Sequence, residues 1–497
     1  MKKPNVIFVL IDDLGWADLE CYGHPFNETP HIDQLAETGI RFTDAYAAAP
    51  VCSPSRAALL TGQCPPRNGI TDFLRPHSEW FLPLGARNQN FADNELPEDT
   101  DYRMSTQFVT MAEMFKKSGY ATGIIGKWHL SGYDKHGVKY GPAKYGFDDV
   151  LLSEQTGIGS GSYFHPYDKV DATIEPVLGE NEFLIDRMNY EAVEFIKRHK
   201  EKPFFLYLSH YAVHTTLDAK EEDIQYFSEK RKKLKKRNPK KYQKRYKHGG
   251  NFLTTLVTLI ERLKPGNLRH FRKNRRRWIK YNNPVLAAML KSIDEGIGEI
   301  VETLKEFGIY EDTIIVFTSD NGGELRVTRN RPMRGGKSFT YEGGLRVPQI
   351  ISYPEMIDPQ NISEIPTIHM DFYPTFAELI GYRIPKDHKL DGISLLPILK
   401  NEPPSTDFTK RTFSWLYPLK IPHFLGGHSS AANRKEEFKY LWFFDRGQGE
   451  LYDLQNDVSE TTNLVERFPQ KAQELRKFMK NWIEEVGGTI PKGQKEP

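Results

Sequence analysis

The sequence predicts an α/β fold: a mixed, mostly parallel sheet sandwiched by helices, with a smaller C-terminal α+β unit containing an antiparallel sheet. Two observations carry this. Four short runs of apolar, often β-branched residues, Asn5 to Ile11, Ala121 to Ile125, Phe204 to Leu208 and the DTIIVFTS run that precedes Asp320, each stop abruptly at polar residues and alternate with amphipathic helical segments. That alternation builds parallel strands covered on both faces. Nearer the C-terminus, KYLWFF and ELYDL are close enough in sequence to join as a hairpin, which requires antiparallel pairing. At 497 residues the chain is too long for one ordinary domain. Pro385, Pro397, Pro403 and Pro404 cluster where a boundary is expected, giving a main domain over 1–395 and a C-terminal subdomain over 396–497.

Taken in order, the first strand ends in Asp12 and Asp13, two adjacent carboxylates that repel unless a cation lies between them. In an open α/β sheet the carboxyl ends of the strands are where ligands bind, so a hard divalent metal is the economical expectation. HIDQLAETG is a short amphipathic helix, followed by a strand leading into APVCSPSRAALLTG. There Ser53 is expected as the helix N-cap, Pro54 at the first helical position and Gly62 at the end. Cys52 then sits at a helix start, where free N–H groups and the dipole favour an oxyanion, with Arg56 one turn on along the same face. The stretch from Gly62 to Tyr102 reads as irregular loop in which Arg75 and His77 are candidates for a substrate rim; His423 is a third.

QFVTMAEMFKKSGY forms a helix, and the strand after it delivers Lys127 and His129 at the same relative position as the two aspartates. Beyond the third strand lie His210, expected to be packed, and His214. NPVLAAMLKSIDEGIGEIVETLKEFG is a long amphipathic helix feeding the fourth strand, which exits into Asp320 and Asn321. Two strand ends now supply three carboxylates and an amide oxygen, a ligand set for calcium or magnesium and not for zinc. Gly335-Gly336 allows close backbone approach to a ligand, with Lys337 projecting from that loop, and KAQELRKFMKNWIEEVG closes the chain as a helix.

Charge is unevenly spread. Residues 228–280 carry 21 Lys/Arg against two Glu, leaving the remainder of the chain at −17 although the total is +2. This segment is read as part of a helical insertion over about 217–280, either a solvated hairpin or a lid attracting polyanions. Its aromatic interleaving is sparse, so nucleic acid is not the expected partner. Three cysteines exclude a disulfide scaffold and leave at least one thiol free or modified. No apolar run near the start is long enough for a membrane span and no export signal is visible. A cytoplasmic location is expected for the chain as given, periplasmic or secreted if a leader has been removed.

IDD, CSPSR, GKWH, the downstream YAVH, SDNG and GGK, in that order, resemble the signature of the formylglycine-dependent (type I) sulfatases of the alkaline phosphatase superfamily, with a carbohydrate sulfatase of the bacterial type implied. The resemblance implies the alkaline-phosphatase-like fold, Cys52 oxidised to formylglycine (3-oxoalanine) by a maturation enzyme, and one Ca2+ bound by Asp12, Asp13, Asp320, Asn321 and the modified Cys52. It assigns Arg56, Lys127, His129, His214 and Lys337 to catalysis and sulfate binding, and hydrolysis of a sulfate monoester on a sulfated glycan, in exo mode, or on a small sulfate ester. An arylsulfatase of broad specificity, a phosphodiesterase or phosphonate monoester hydrolase of the same superfamily, and a non-catalytic polyanion-binding protein are the alternatives. The chain departs from the family in its long basic insertion and in Leu416, where many bacterial carbohydrate sulfatases carry a histidine. Oligomeric state is left open.

Overall fold

The seven residues Asn5–Ile11 form β1, which is buried along its whole length because it is paired on both edges and covered on both faces. The structure is a computed structural model that describes residues 3–74, 104–130, 140–153, 163–167, 170, 174–237 and 282–497. The strands that follow are β2 (Ile40–Phe42), β3 (Ala45–Tyr46), β4 (Ala121–Gly126), β5 (Asp149–Leu151), β6 (Phe204–Ser209), β7 (Thr313–Ser319), β8 (Gln349–Ser352), β9 (Asn361–Ser363) and β10 (Thr367–Ile368). Eight of them make one sheet in the order β5-β4-β6-β1-β7-β8-β2-β9. The five from β5 to β7 are mutually parallel, β8 runs antiparallel to β7 and β2, and β9 is parallel to β2. The predicted mixed, mostly parallel sheet is therefore observed.

Alternate residues of β1 enter different cores, as the two-residue period of a strand requires. Ile7, Val9 and Ile11 pack with the helices Pro30–Glu37, Leu184–His199, Glu221–Arg237 and Pro284–Glu306. Val6, Phe8 and Leu10 pack with the helices Cys52–Thr61, Met111–Lys117 and Phe372–Leu379 on the other face. The result is three layers, helix on sheet on helix.

Register positions the site. Ile11 pairs with Ser319, Leu10 with Ser209, and Gly126 with Ser209, so β1, β4, β6 and β7 end nearly flush. The residues after each end therefore emerge at one level of one sheet edge. Gly126 makes the exit of β4 possible: its φ is +98° and a Cβ there would lie 2.2 Å from the Ser209 carbonyl.

A second sheet is an antiparallel meander of β11 (Thr412–Tyr417), β12 (Ser430–Lys435), β13 (Phe438–Phe443) and β14 (Gln448–Asp453). The predicted KYLWFF/ELYDL hairpin is β13 and β14. One face carries the helix Pro469–Glu485 through Leu475, Met479 and Ile483, and the other packs Phe413, Trp415 and Leu441 against Tyr46, Ala58 and Leu345. The second sheet thus rests on the helix that carries Cys52. Of the basic insertion, Glu221–Arg237 is helical and docked, with Phe227 in the core against Phe26 and Lys230 paired to Glu28 at 2.5 Å. Its later part, over 238–280, lies outside the described residues. Among the described residues no helix is long and apolar enough to cross a membrane.

Candidate active site

The helix Cys52–Thr61 starts at Cys52, with Val51 as its N-cap and Gly62 closing it at φ +68°. Ser53 is not the cap expected from sequence. Its hydroxyl is engaged in tertiary contacts, donating to the His129 carbonyl at 2.9 Å and accepting from the Leu74 amide at 3.0 Å. The helix is buried throughout, which places Cys52 against the ends of β1 and β7.

Asp12 and Asp13 are both fully buried, and Asp13 adopts φ +62°, a kink that redirects the chain as it leaves β1. Cys52 Sγ lies 3.3 Å from Asp12 Oδ1 and 4.0 Å from Asp13 Oδ1. Asp320 Oδ1 accepts from the Asp13 amide at 3.2 Å, and Asn321 Nδ2 donates to Asp13 Oδ1 at 2.8 Å. One ligand atom from each of Asp12, Asp13, Cys52 and Asp320 lies within 4.8 Å of every other. Residues separated by more than 300 positions have converged on a volume that one ion could share.

Each carboxylate has its own cation. Lys127 Nζ contacts Asp12 Oδ2, and Lys337 Nζ donates to Asp13 Oδ2 at 2.8 Å while standing 3.4 Å from Cys52 Sγ. Arg56 grips Asp320 Oδ2 through Nε at 2.8 Å and Nη2 at 2.7 Å, with Nη1 on the Lys127 carbonyl at 3.0 Å and on Ser209 Oγ at 2.6 Å. Burial alone lowers the pKa of both lysines, but the neighbouring aspartates more than reverse it and both are raised. Burial likewise opposes ionisation of Asp12, yet Lys127 and His214 hold its pKa below the usual carboxylate value. For Cys52, burial and then the Asp12 and Asp320 charges push the thiol pKa far up, so the unmodified side chain is a thiol and not a thiolate.

The two histidines differ. His129, at φ +57°, places Nε2 2.9 Å from the Leu74 carbonyl, so that nitrogen carries the proton, and Nδ1 is buried without a hydrogen-bond partner. Burial, then Lys127 and Arg56, keep its pKa far below the usual value and the ring neutral. His214 directs Nδ1 to the Thr215 carbonyl at 2.7 Å and Nε2 towards Asp13 Oδ2 at 3.8 Å. Its side chain is 23% exposed against 8% for Lys337 and none for Asp13, making it the most open member of the group. His210 is buried with both ring nitrogens unpartnered and burial depresses its pKa to about 3, as a packed residue would.

Of the rim candidates, Arg75 and His77 lie outside the described residues. His423 is buried in its own turn, its Nδ1 accepting from the Leu425 amide at 3.1 Å and its ring stacked on Phe424. Sequence reading missed Ser209 and Glu324. Ser209 is the first polar residue at the end of β6, a signal equivalent to Asp12. Glu324, four residues past Asp320, accepts from Thr215 Oγ1 at 2.8 Å beside His214. Burial opposes its charge, but the ion pair with Arg326 outweighs this and holds its pKa at about 2.

Comparison with known proteins places the chain in a family. The sulfatase family profile matches residues 4–382, and the profile of the C-terminal part of N-sulphoglucosamine sulphohydrolase matches 336–488. The chain is 29% identical over 547 residues to a sulfatase of Formosa agariphila, spanning 97% of this chain and 88% of the relative. It is 31% identical over 422 residues to N-acetylgalactosamine-6-sulfatase of Homo sapiens, spanning 80% of this chain and 66% of the relative. Among solved structures it is similar to Ps i-CgsB in complex with k-i-k-neocarrahexaose, with a TM-score of 0.74 and 28% identity over 99% of this chain and 95% of that one. A mostly parallel sheet whose flush strand ends surround a buried cysteine, together with a family match over most of its length, establishes that this chain belongs to the sulfatases, sulfuric ester hydrolases of the alkaline-phosphatase-like fold.

Proposed function

We propose that the enzyme removes sulfate from a terminal residue of a sulfated carbohydrate, with an oxidised Cys52 as nucleophile and one calcium ion held by Asp12, Asp13, Asp320 and Asn321. The observation that carries this reading is the charge balance of the cluster. Three carboxylates face Lys127, Lys337 and Arg56 and sum to zero, so a divalent ion leaves +2 at a site meant for an ester anion. The residues fit such an ion. Lys127 and Arg56 occupy Oδ2 of Asp12 and Asp320, leaving each Oδ1 to the cluster, and Asn321 Oδ1 is a buried acceptor with no partner. These are hard oxygen donors, which suit calcium or magnesium.

A bound cation would polarise a sulfate oxygen and offset its charge, and formylglycine made from Cys52 by a maturation enzyme would, once water has added to the aldehyde to give its hydrate, supply a hydroxyl nucleophile in place of a thiol that burial keeps protonated. The other roles fall to this chain's own side chains. Lys337 and Lys127 flank position 52 and donate to sulfate oxygens, where charge develops as the ester breaks. Arg56, committed to Asp320, Ser209 and a carbonyl, acts by holding Asp320 and by its buried charge. His129 accepts a proton at the vacant Nδ1. His214, the open member, turns Nε2 to the departing alkoxide and protonates it from the imidazolium form, an acid strengthened by burial and by Lys337, while Nδ1 keeps its own proton on the Thr215 carbonyl.

The preference for a carbohydrate draws on the relatives, one named for N-acetylgalactosamine-6-sulfate chemistry and one seen with neocarrahexaose, and on the basic insertion, which suits a polyanion. A desulfation screen over defined mono- and disaccharide sulfates, run beside an aryl sulfate and an aryl phosphodiester, tests it. Release of sulfate from a chain-terminal sugar is expected. Faster cleavage of the phosphodiester, or turnover of the aryl sulfate alone, overturns the substrate reading.

A further inference from the structure

Three ionisable side chains are fully buried where the second sheet meets the Glu342–Leu345 turn, each 0% exposed: Glu342, Lys439 on β13, and Glu460 beyond β14. Lys439 Nζ lies 2.8 Å from Glu342 Oε1 and 3.1 Å from Glu460 Oε1. Glu460 Oε2 accepts from the Glu342 amide at 2.7 Å, and Tyr46 donates its hydroxyl to Glu342 Oε2 at 2.8 Å. Burying an ion pair and a second carboxyl is costly, and hydrophobic replacements are often as stable, so a polar cluster here calls for a reason beyond stability.

Its position supplies one. Glu342 opens the tight turn Glu342–Leu345, whose two glycines are pressed onto the backbone that carries the active site. The Gly343 amide donates to the Arg334 carbonyl at 2.8 Å, and the Gly322 amide, next to Asn321, donates to the Gly344 carbonyl at 3.0 Å. A Cβ on Gly344 would lie 2.0 Å from the Phe339 carbonyl, so this turn and the Lys337 loop have no slack between them. That loop is in turn tied by Lys337 N to the Gly323 carbonyl at 3.1 Å and by Ser338 N to the Pro50 carbonyl at 2.7 Å, two residues before Cys52. Fixing Glu342 therefore fixes Lys337 relative to both Asp13 and position 52.

We infer that Lys439 and Glu460 are positioning residues for sulfate-ester cleavage, using the second sheet to hold Glu342 and, through its turn, the ammonium of Lys337. The inference rests on the proposed role of Lys337. Glu460→Gln keeps shape and removes the ionisable carboxyl, and Lys439→Met is the harsher variant. Each is made in the wild type and in Lys337→Ala, with kcat and KM measured on an aryl sulfate and the folded fraction by thermal melting. In the wild-type background kcat is expected to fall about ten-fold with KM within two-fold. In Lys337→Ala the same changes are expected to cost no more than two-fold further. An equal fall in both backgrounds, an unchanged kcat in folded Glu460→Gln, or a loss that tracks the unfolded fraction overturns the inference. Lys337→Ala alone reports on the role of Lys337: if that variant keeps full activity, the catalytic reading fails, whatever the double variants do.

Discussion

Arg56→Met removes the guanidinium that neutralises Asp320 while keeping a flexible apolar stem. At the observed 2.7 to 2.8 Å the gross attraction is about 6 kcal/mol for an effective dielectric constant of about 20. What folding loses is smaller, because part of that attraction offsets desolvation. Leaving one buried carboxylate unpaired costs about 3 to 5 kcal/mol. The Lys127 carbonyl keeps Ser209 Oγ as a donor at 2.7 Å, so it adds little. If 497 residues unfold as one unit, the unfolding entropy is about 1 kcal/mol per kelvin, and the melting point falls by about 4 °C. Calorimetry in EDTA and in millimolar calcium separates the causes. The deficit should be full in EDTA and shrink in calcium, since a cation beside Asp320 Oδ1 takes over part of the compensation. An unchanged melting point in EDTA, or the same deficit in both buffers, refutes the assignment of Arg56 and Asp320 to one electrostatic unit with the ion site.

Three further outcomes follow from the same geometry. Cys52→Ala should abolish turnover of an aryl sulfate while leaving the melting point and its response to calcium near those of the parent; retained activity contradicts covalent catalysis at position 52. His214→Asn should slow alkyl sulfates by about 10²-fold to 10³-fold and spare an activated aryl sulfate, whose leaving group needs no proton, and equal losses on both would remove His214 from that role. Asp18 is buried, which pushes its pKa up to about 7 despite hydrogen bonds from Thr328 and the Gly15 amide. Because the folded state binds the proton more tightly, the stability Asp18 confers is full below about pH 4 and is lost as pH rises to about 7. Relative to Asp18→Asn, the wild type should lose about 4 kcal/mol across that window in urea titrations, and parallel profiles would contradict it.

The sheet and most of the cluster were legible because one physical pattern repeats: a buried apolar strand cannot continue through a charge, so Asp12, Lys127 and Asp320 mark both the end of a strand and the edge of a ligand site. The order of the strands was not legible, since β2, β8 and β9 are three or four residues long and their antiparallel pairing depends on tertiary context. Ser53 misled for a related reason, having capping chemistry but spending its hydroxyl on His129 and Leu74. Arg56 was placed correctly on the face of Cys52, while its tie to Asp320 needed coordinates because 264 residues separate them. Lys439 and Glu460 gave no signal: a lysine in a β-strand and a glutamate after a turn both read as solvated until the fold buries them.

The central claim is that position 52 reacts as an oxidised side chain, and mass spectrometry of the tryptic peptide spanning 42–56 in an active preparation tests it most directly. The account predicts a species about 18 Da lighter than the cysteine form, the mass change from thiol to aldehyde, in a fraction that rises and falls with specific activity. Full activity in a preparation holding only the unmodified thiol would contradict it.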